Sequence, residues 1–266
     1  MALFLPTNKE LLNSPRRAPY TESLIKNISL GGSMSEFLKV LENEVQLVAL
    51  AFMGTVYFLR LLWMFRFKAP QDFSYGVGSS KVGVAYSMMN VAMPWAMESV
   101  RRNWSFYLQF VIFHLGVVAA ISATFFIPYW PQLFEIKWVV WIFQISLAAA
   151  CFVGILRLIR RISKPALRLI STPDDYFSLV LMTAFFASGV FAVPNKHTSS
   201  EWPLVVFFAM TAFFLIYVPF SKISHYLYYP FTRYFLGKVM GHRGVFPRKR
   251  GGEKPAGLDN EKALTN

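Results

Sequence analysis

Cysteine is almost absent from this 266-residue chain: Cys151 is the only one. A single thiol closes no internal disulfide, holds no iron–sulfur cluster and cannot attach a c-type haem through a C-x-x-C-H motif. Its place inside a long apolar run marks it as a small packing residue. Charged residues are scarce, at 15%, and there are only four histidines. The first 44 residues contain no uninterrupted apolar stretch, so a cleavable signal peptide is not expected. An internal inverted repeat and the intramembrane charges of an ion path are also missing, which argues against a transporter.

What the chain has instead is apolar length. It is 55% hydrophobic and 17% aromatic, with a positive mean hydropathy. Windows at about 45–66, 105–127, 137–160, 175–194 and 203–227 are each long enough to cross a bilayer as a helix, which takes roughly 20 residues. They are rich in Leu, Ala, Met and Phe and lack the two-residue alternation of an outer-membrane strand. The expected fold is all-α: an integral membrane bundle of five transmembrane helices.

The net charge of +13 could suggest nucleic acid, but its distribution points to topology. Arg66, Lys68, Lys81, Arg101 and Arg102 lie between the first two windows. Arg157, Arg160, Arg161, Lys164 and Arg168 lie at or after the end of the third, and Lys222, Arg233, Lys238, Arg243, Arg248, Lys249, Arg250 and Lys254 at or after the end of the fifth. The opposite loops hold Lys137 and Lys196. The positive-inside rule then sets the N-terminus outside and the C-terminus in the cytoplasm of a multi-pass protein. A prokaryotic inner membrane is the expected location.

Three stretches lie outside the windows. Residues 1–44 balance five basic against five acidic residues and read as an external arm that can touch another subunit. A helix is expected from Ser35, with Ser33 or Ser35 as cap and Glu36 in its first turn. Residues 66–104 form a long cytoplasmic loop in which Met88, Met89, Met93, Met97 and Trp95 make a flexible apolar face. That face either meets a partner or the membrane interface, or packs on the protein's own bundle. Residues 228–266 read as a basic cytoplasmic tail. In STPDDY, Ser171 or Thr172 can cap the fourth helix, with Pro173, Asp174 and Asp175 in its first turn. Pro219 interrupts the fifth window two turns before His225.

His114 and His225 carry the chemistry. Each lies in a long apolar run, where an ionisable side chain usually faces a partner, a cofactor or the bundle interior. Placed on two helices toward the same side of the membrane, two imidazoles can clamp one haem iron between them. Gly116 leaves room beside His114, Phe110, Phe113 and Phe220 can pack around the macrocycle, and Arg60, Lys222 or Arg233 can meet its propionates. The plainer alternative is that each histidine makes a helix–helix hydrogen bond.

The segments FHLGV, FEIK, ISTPDDYFSLVLM and VPFSKISHYLYYPFTR resemble, in order and spacing, those of the gamma (cytochrome b) subunit of respiratory nitrate reductase. They are also similar to relatives of that subunit in heterodisulfide-reductase-like and sulfite-reduction-associated complexes. The similarity runs from about residue 45 to 240. Its most specific part is the P-F-S-[KR]-x-x-H turn ending at His225. The resemblance implies a five-helix, N-out, C-in haem-binding membrane domain over 45–227, with His114 and His225 as axial ligands of haem b.

The family holds a second haem through two further histidines, which here are Thr124 and Phe207. One haem b is therefore expected, the one nearer the cytoplasm. The resemblance also implies a quinone, menaquinone or ubiquinone, close to Lys137 of FEIK; ordinary snorkelling explains that lysine equally well. Without an outer haem the quinone is expected deeper, in the space around Thr124 and Phe207. His197 can exchange protons with a quinone or be simply solvated, and His242 reads as a surface residue. The expected function is a monohaem membrane subunit moving electrons between the quinone pool and a cytoplasmic iron–sulfur subunit of a respiratory oxidoreductase. The alternative is a haem-free membrane anchor for soluble redox subunits.

Overall fold

The computed structural model describes residues 35–68, 72–96, 98–196 and 200–247. The external arm expected over 1–44 and the end of the tail lie largely outside them, as does His197. Among the described residues the protein is helical, with no strand. Seven helices matter here: α1 (Glu36–Phe65), α2 (Ser80–Met89), α3 (Trp104–Tyr129), α4 (Lys137–Ser163), α5 (Pro173–Ala192), α6 (Trp202–Tyr217) and α7 (His225–His242). Five segments are long and apolar enough to span a membrane: α1, α3, α4, α5 and α6 with its extension to Phe220. The all-α five-helix membrane architecture expected from the hydropathy pattern is the one observed.

The first helix starts earlier than its apolar window. Ser35 caps it by accepting from the Leu38 N–H, as its sequence suggested, so residues 36–44 belong to the first span rather than to an arm. One π turn, Leu41–Val45, rotates α1 near its start. Gln46, just past that turn, donates to Phe208 O at 2.7 Å and ties α1 to α6. In the fourth span Thr172 and Asp175 form a capping box, with Pro173 in the first turn. Asp174 and Asp175 are thereby explained without acid–base chemistry.

α4 packs on both α3 and α5, while α6 packs on α5 and α1. The core where they meet is aromatic: Phe185 lies parallel to Phe207 with centroids 5.1 Å apart. Small residues set the α3–α4 seam. Gly116 faces Ala150 so closely that no Cβ fits there. The glycine expected to make room beside His114 therefore serves helix packing instead.

The fifth span is shorter than expected. α6 ends at Tyr217, and Val218–Phe220 and Lys222–Ser224 form two 3₁₀ turns. Pro219 has no N–H to continue the ladder, so the chain breaks rather than kinks. His225 consequently opens a separate helix, α7, which also absorbs residues 228–242 of the supposed tail. The largest contact of α7 is with α2, from the supposed loop 66–104. Gly83 on α2 meets Gly237 and Gly241 on α7 backbone to backbone, with the Ser87 Cβ against Gly237, the close approach that a small-x-x-x-small pair permits. Of the methionine face, Met89 and Trp95 are exposed, Met88 and Met93 are half-buried, and Met97 lies outside the described residues.

Candidate functional site

Topology collects one set of helix ends at the basic side of the bundle. Lys222 Nζ, past the fifth span, lies 2.9 Å from Asp175 Oδ2 at the start of the fourth. Arg161 reaches the same carboxylate at 3.7 Å from the end of the third. His114, on the half of α3 nearer this side, and His225, at the first turn of α7, come from different helices at this end of the bundle.

The two rings are held in the same way. His114 Nδ1 is 2.7 Å from Phe110 O, and His225 Nδ1 is 3.1 Å from Lys222 O. A carbonyl only accepts, so in each ring Nδ1 carries the proton and donates it. Nε2 is left with its lone pair, and among the described residues neither Nε2 has a hydrogen-bond partner. A helix–helix hydrogen bond, the plainer reading of these residues, is not what either ring makes. Phe110 lies against His114, with centroids 4.1 Å apart.

Beyond His225 a cleft of about 350 Å³ runs along α7, lined by His225, Tyr228, Tyr229, Thr232, Arg233 and Leu236. Its walls mix apolar and polar groups, as ligand clefts do. Tyr229 Oη is buried without a hydrogen-bond partner among the described residues, and an orphaned buried hydroxyl calls for an explanation. The Arg233 guanidinium lies 5.3 Å from the Tyr229 ring centroid. Arg60, from α1, donates to Tyr228 Oη at 3.3 Å and covers Phe220. Tyr57 and Tyr226 share a hydrogen bond across the α1–α7 seam, and burial pushes the Tyr226 phenol up.

The structure thus gathers His225 and Arg233 on α7 and, through Tyr228, Arg60, while His114 stands on α3 and does not line that cleft. It does not gather Lys222, whose ammonium is already matched by Asp175 and Thr172. The quinone group does not assemble either. Lys137 is exposed at the first turn of α4. Thr124 spends its hydroxyl on Ala120 O. Phe207 is fully buried against Phe185 and Phe208, which closes the space expected beside it. His242 is more than a surface residue: its Nε2 lies 2.9 Å from Ser74 O and pins the chain before α2. Sequence reading missed Tyr229 and Thr232. Their signal was the helical spacing 225, 229, 232, 236, on a segment taken for a tail.

No family model matches the chain, and no solved structure matches it. A protein of Nitratidesulfovibrio vulgaris (strain Hildenborough), described only as "Protein", is 25% identical over 162 residues, which cover 58% of this chain and 70% of that one. The similarity carries no functional word. The site therefore has to be read from its own chemistry.

Proposed function

We propose that the protein is the monohaem b-type membrane subunit of a quinone-linked respiratory oxidoreductase, with His114 and His225 as the axial pair. The observation that supports this most is the two imidazoles themselves, on different helices at one end of the bundle, each with Nδ1 anchored and Nε2 free. Metal-ligating histidines commonly donate their second nitrogen to a carbonyl in this way, which fixes the tautomer and the ring plane. Among the described residues no group of three or more His, Cys, Asp or Glu could hold a bare metal ion. Two nitrogens suffice for an iron whose other four ligands belong to its macrocycle.

Bound there, haem b would supply one-electron transfer. The chain's own residues do the rest. Phe110 covers one face of His114, and Tyr229 Oη and the Arg233 guanidinium offer a hydrogen bond and a positive charge to propionates. In this reading the basic side faces the cytoplasm, where an iron–sulfur subunit exchanges electrons with the site. The quinone then reacts on the same half of the membrane, because Phe207, packed on Phe185 and Phe208, closes the space expected around it.

A pyridine haemochrome assay on the purified chain tests the proposal. We expect bis-histidine low-spin haem at one equivalent, lost in His114→Ala and in His225→Ala alike. A chain free of stoichiometric haem would make it an anchor for soluble subunits, and full haem in either variant would remove the ligand pair.

A further inference from the structure

On the seam between α3 and α4, at its basic end, two arginines lie against two aromatic rings. The Arg160 guanidinium carbon is 3.8 Å from the Phe106 ring centroid, and that of Arg157 is 4.9 Å from Phe113. Both arginines are partly buried, and Arg160 Nε is buried with no hydrogen-bond partner among the described residues. None of the ion pairs among the described residues includes either arginine; Asp175 is taken by Lys222 and Arg161. Two guanidinium groups one helical turn apart repel each other, and each buried N–H without an acceptor is costly. Ring stacking holds a guanidinium plane in place and offsets part of that cost, but it supplies no acceptor. The arrangement lacks an anion.

The site opens outward. Phe106 is 38% exposed, and Leu156 and Ile159, on the same turns of α4 as the two arginines, present apolar surface to the surroundings. His114 lies two residues before Gly116, the residue that faces α4, so its ring projects about 160° away from the seam. Arg160, over the half-exposed Phe106, therefore faces the lipid edge of the seam, with Arg157 behind it on Phe113, the ring that neighbours His114. We propose that Arg157 and Arg160 bind the phosphate of an anionic membrane phospholipid, with its acyl chains along the apolar surface of α3 and α4. The guanidinium fork matches two phosphate oxygens, and basic recesses between membrane helices on this side suit such headgroups.

Native mass spectrometry of the full chain, released from nanodiscs of phosphatidylglycerol and phosphatidylcholine, tests it. The wild type should retain phosphatidylglycerol selectively. Arg157→Gln combined with Arg160→Gln should lower retention about tenfold or more, the scale expected for charge-assisted hydrogen bonds. Lys164→Gln combined with Arg168→Gln removes the same charge near by and should retain the lipid. Arg160→Lys keeps the charge but not the fork and should lose most of the retention; Arg160→Gln alone gives the same reading if the double variant does not fold. Equal loss in both double variants would reduce the effect to general attraction, and full retention in the first would overturn the site. Loss of haem with lipid retained would assign the arginines to propionates instead. Displacement of the lipid by millimolar inorganic phosphate would make soluble phosphate the ligand.

Discussion

Gly83 on α2 and Gly241 on α7 touch through their backbones: a Cβ on Gly241 would lie 2.8 Å from the Gly83 Cα. Neither side can yield as a flexible side chain would. Gly241→Ala is therefore expected to push the two helices apart, at a cost of about 1–3 kcal/mol by the usual measure of overpacking. Gly54, in α1, has nothing near its Cβ position. Gly54→Ala should be neutral or slightly stabilising, because alanine favours helix. Thermal unfolding of both variants in detergent checks the contrast.

The pair is also fastened by Asp72 and Arg243, with Arg243 Nε 3.0 Å from Asp72 Oδ2. Hydrogen bonds from Arg243 and Ser74 hold the Asp72 carboxyl well below the usual carboxylate range. A depressed value means that the contact favours the ordered segment above the ordinary aspartate pKa, about 3.9, and fades as pH falls through the lower value. Hydrogen exchange at Val77 and Gly78, whose N–H groups bond His242 O, should stay protected at neutral pH. Asp72→Asn should lower that protection even there.

Tyr229 offers a sharper test of the cleft. Its buried hydroxyl has no partner among the described residues, so Tyr229→Phe should not lower the stability of the haem-free chain and should raise it slightly. If the hydroxyl meets a propionate, the same variant should release haem faster. A haem off-rate equal to that of the wild type would dissociate Tyr229 from the cofactor.

Under the proposed function, quinol kinetics decide which half of the membrane a quinol enters. Lys137 stands at the first turn of α4, at the end opposite Arg160 and Arg161 in the last turn, and Phe207 is sealed in the core. Lys137→Ala should leave haem reduction by a quinol analogue unchanged, and a slowed reaction would return the site to the outer boundary.

The membrane part of this architecture was legible because hydropathy over twenty residues is a strong signal, and Ser35, Thr172 and Pro173 announced their helix starts. The histidines were legible for a related reason: an imidazole stands out against Phe, Leu and Val. What sequence reading lost was the second half of the site. Tyr228, Tyr229 and Thr232 follow Pro219, where the apolar window fades into mixed polar and aromatic residues, and of α7 only His225 and Arg233 were read as site residues. The G-x-x-x-G spacing at Gly237 and Gly241 marked a packing helix, but its partner surface lay in the supposed loop, about 150 residues earlier. Long-range pairing of two short amphipathic helices leaves little periodic trace in either one alone.

The break at Pro219 separates two mechanical roles. His114 rides on a rod anchored through the depth of the bilayer, whereas His225 is carried by a helix clamped to α2. The distance between the imidazoles is then set by two bodies joined through a short turn. If the two histidines hold haem as proposed, a protein pressing on the α2–α7 pair would tilt one ligand without bending any membrane helix, and docking would be geared to the redox properties of the iron at residues 218–224.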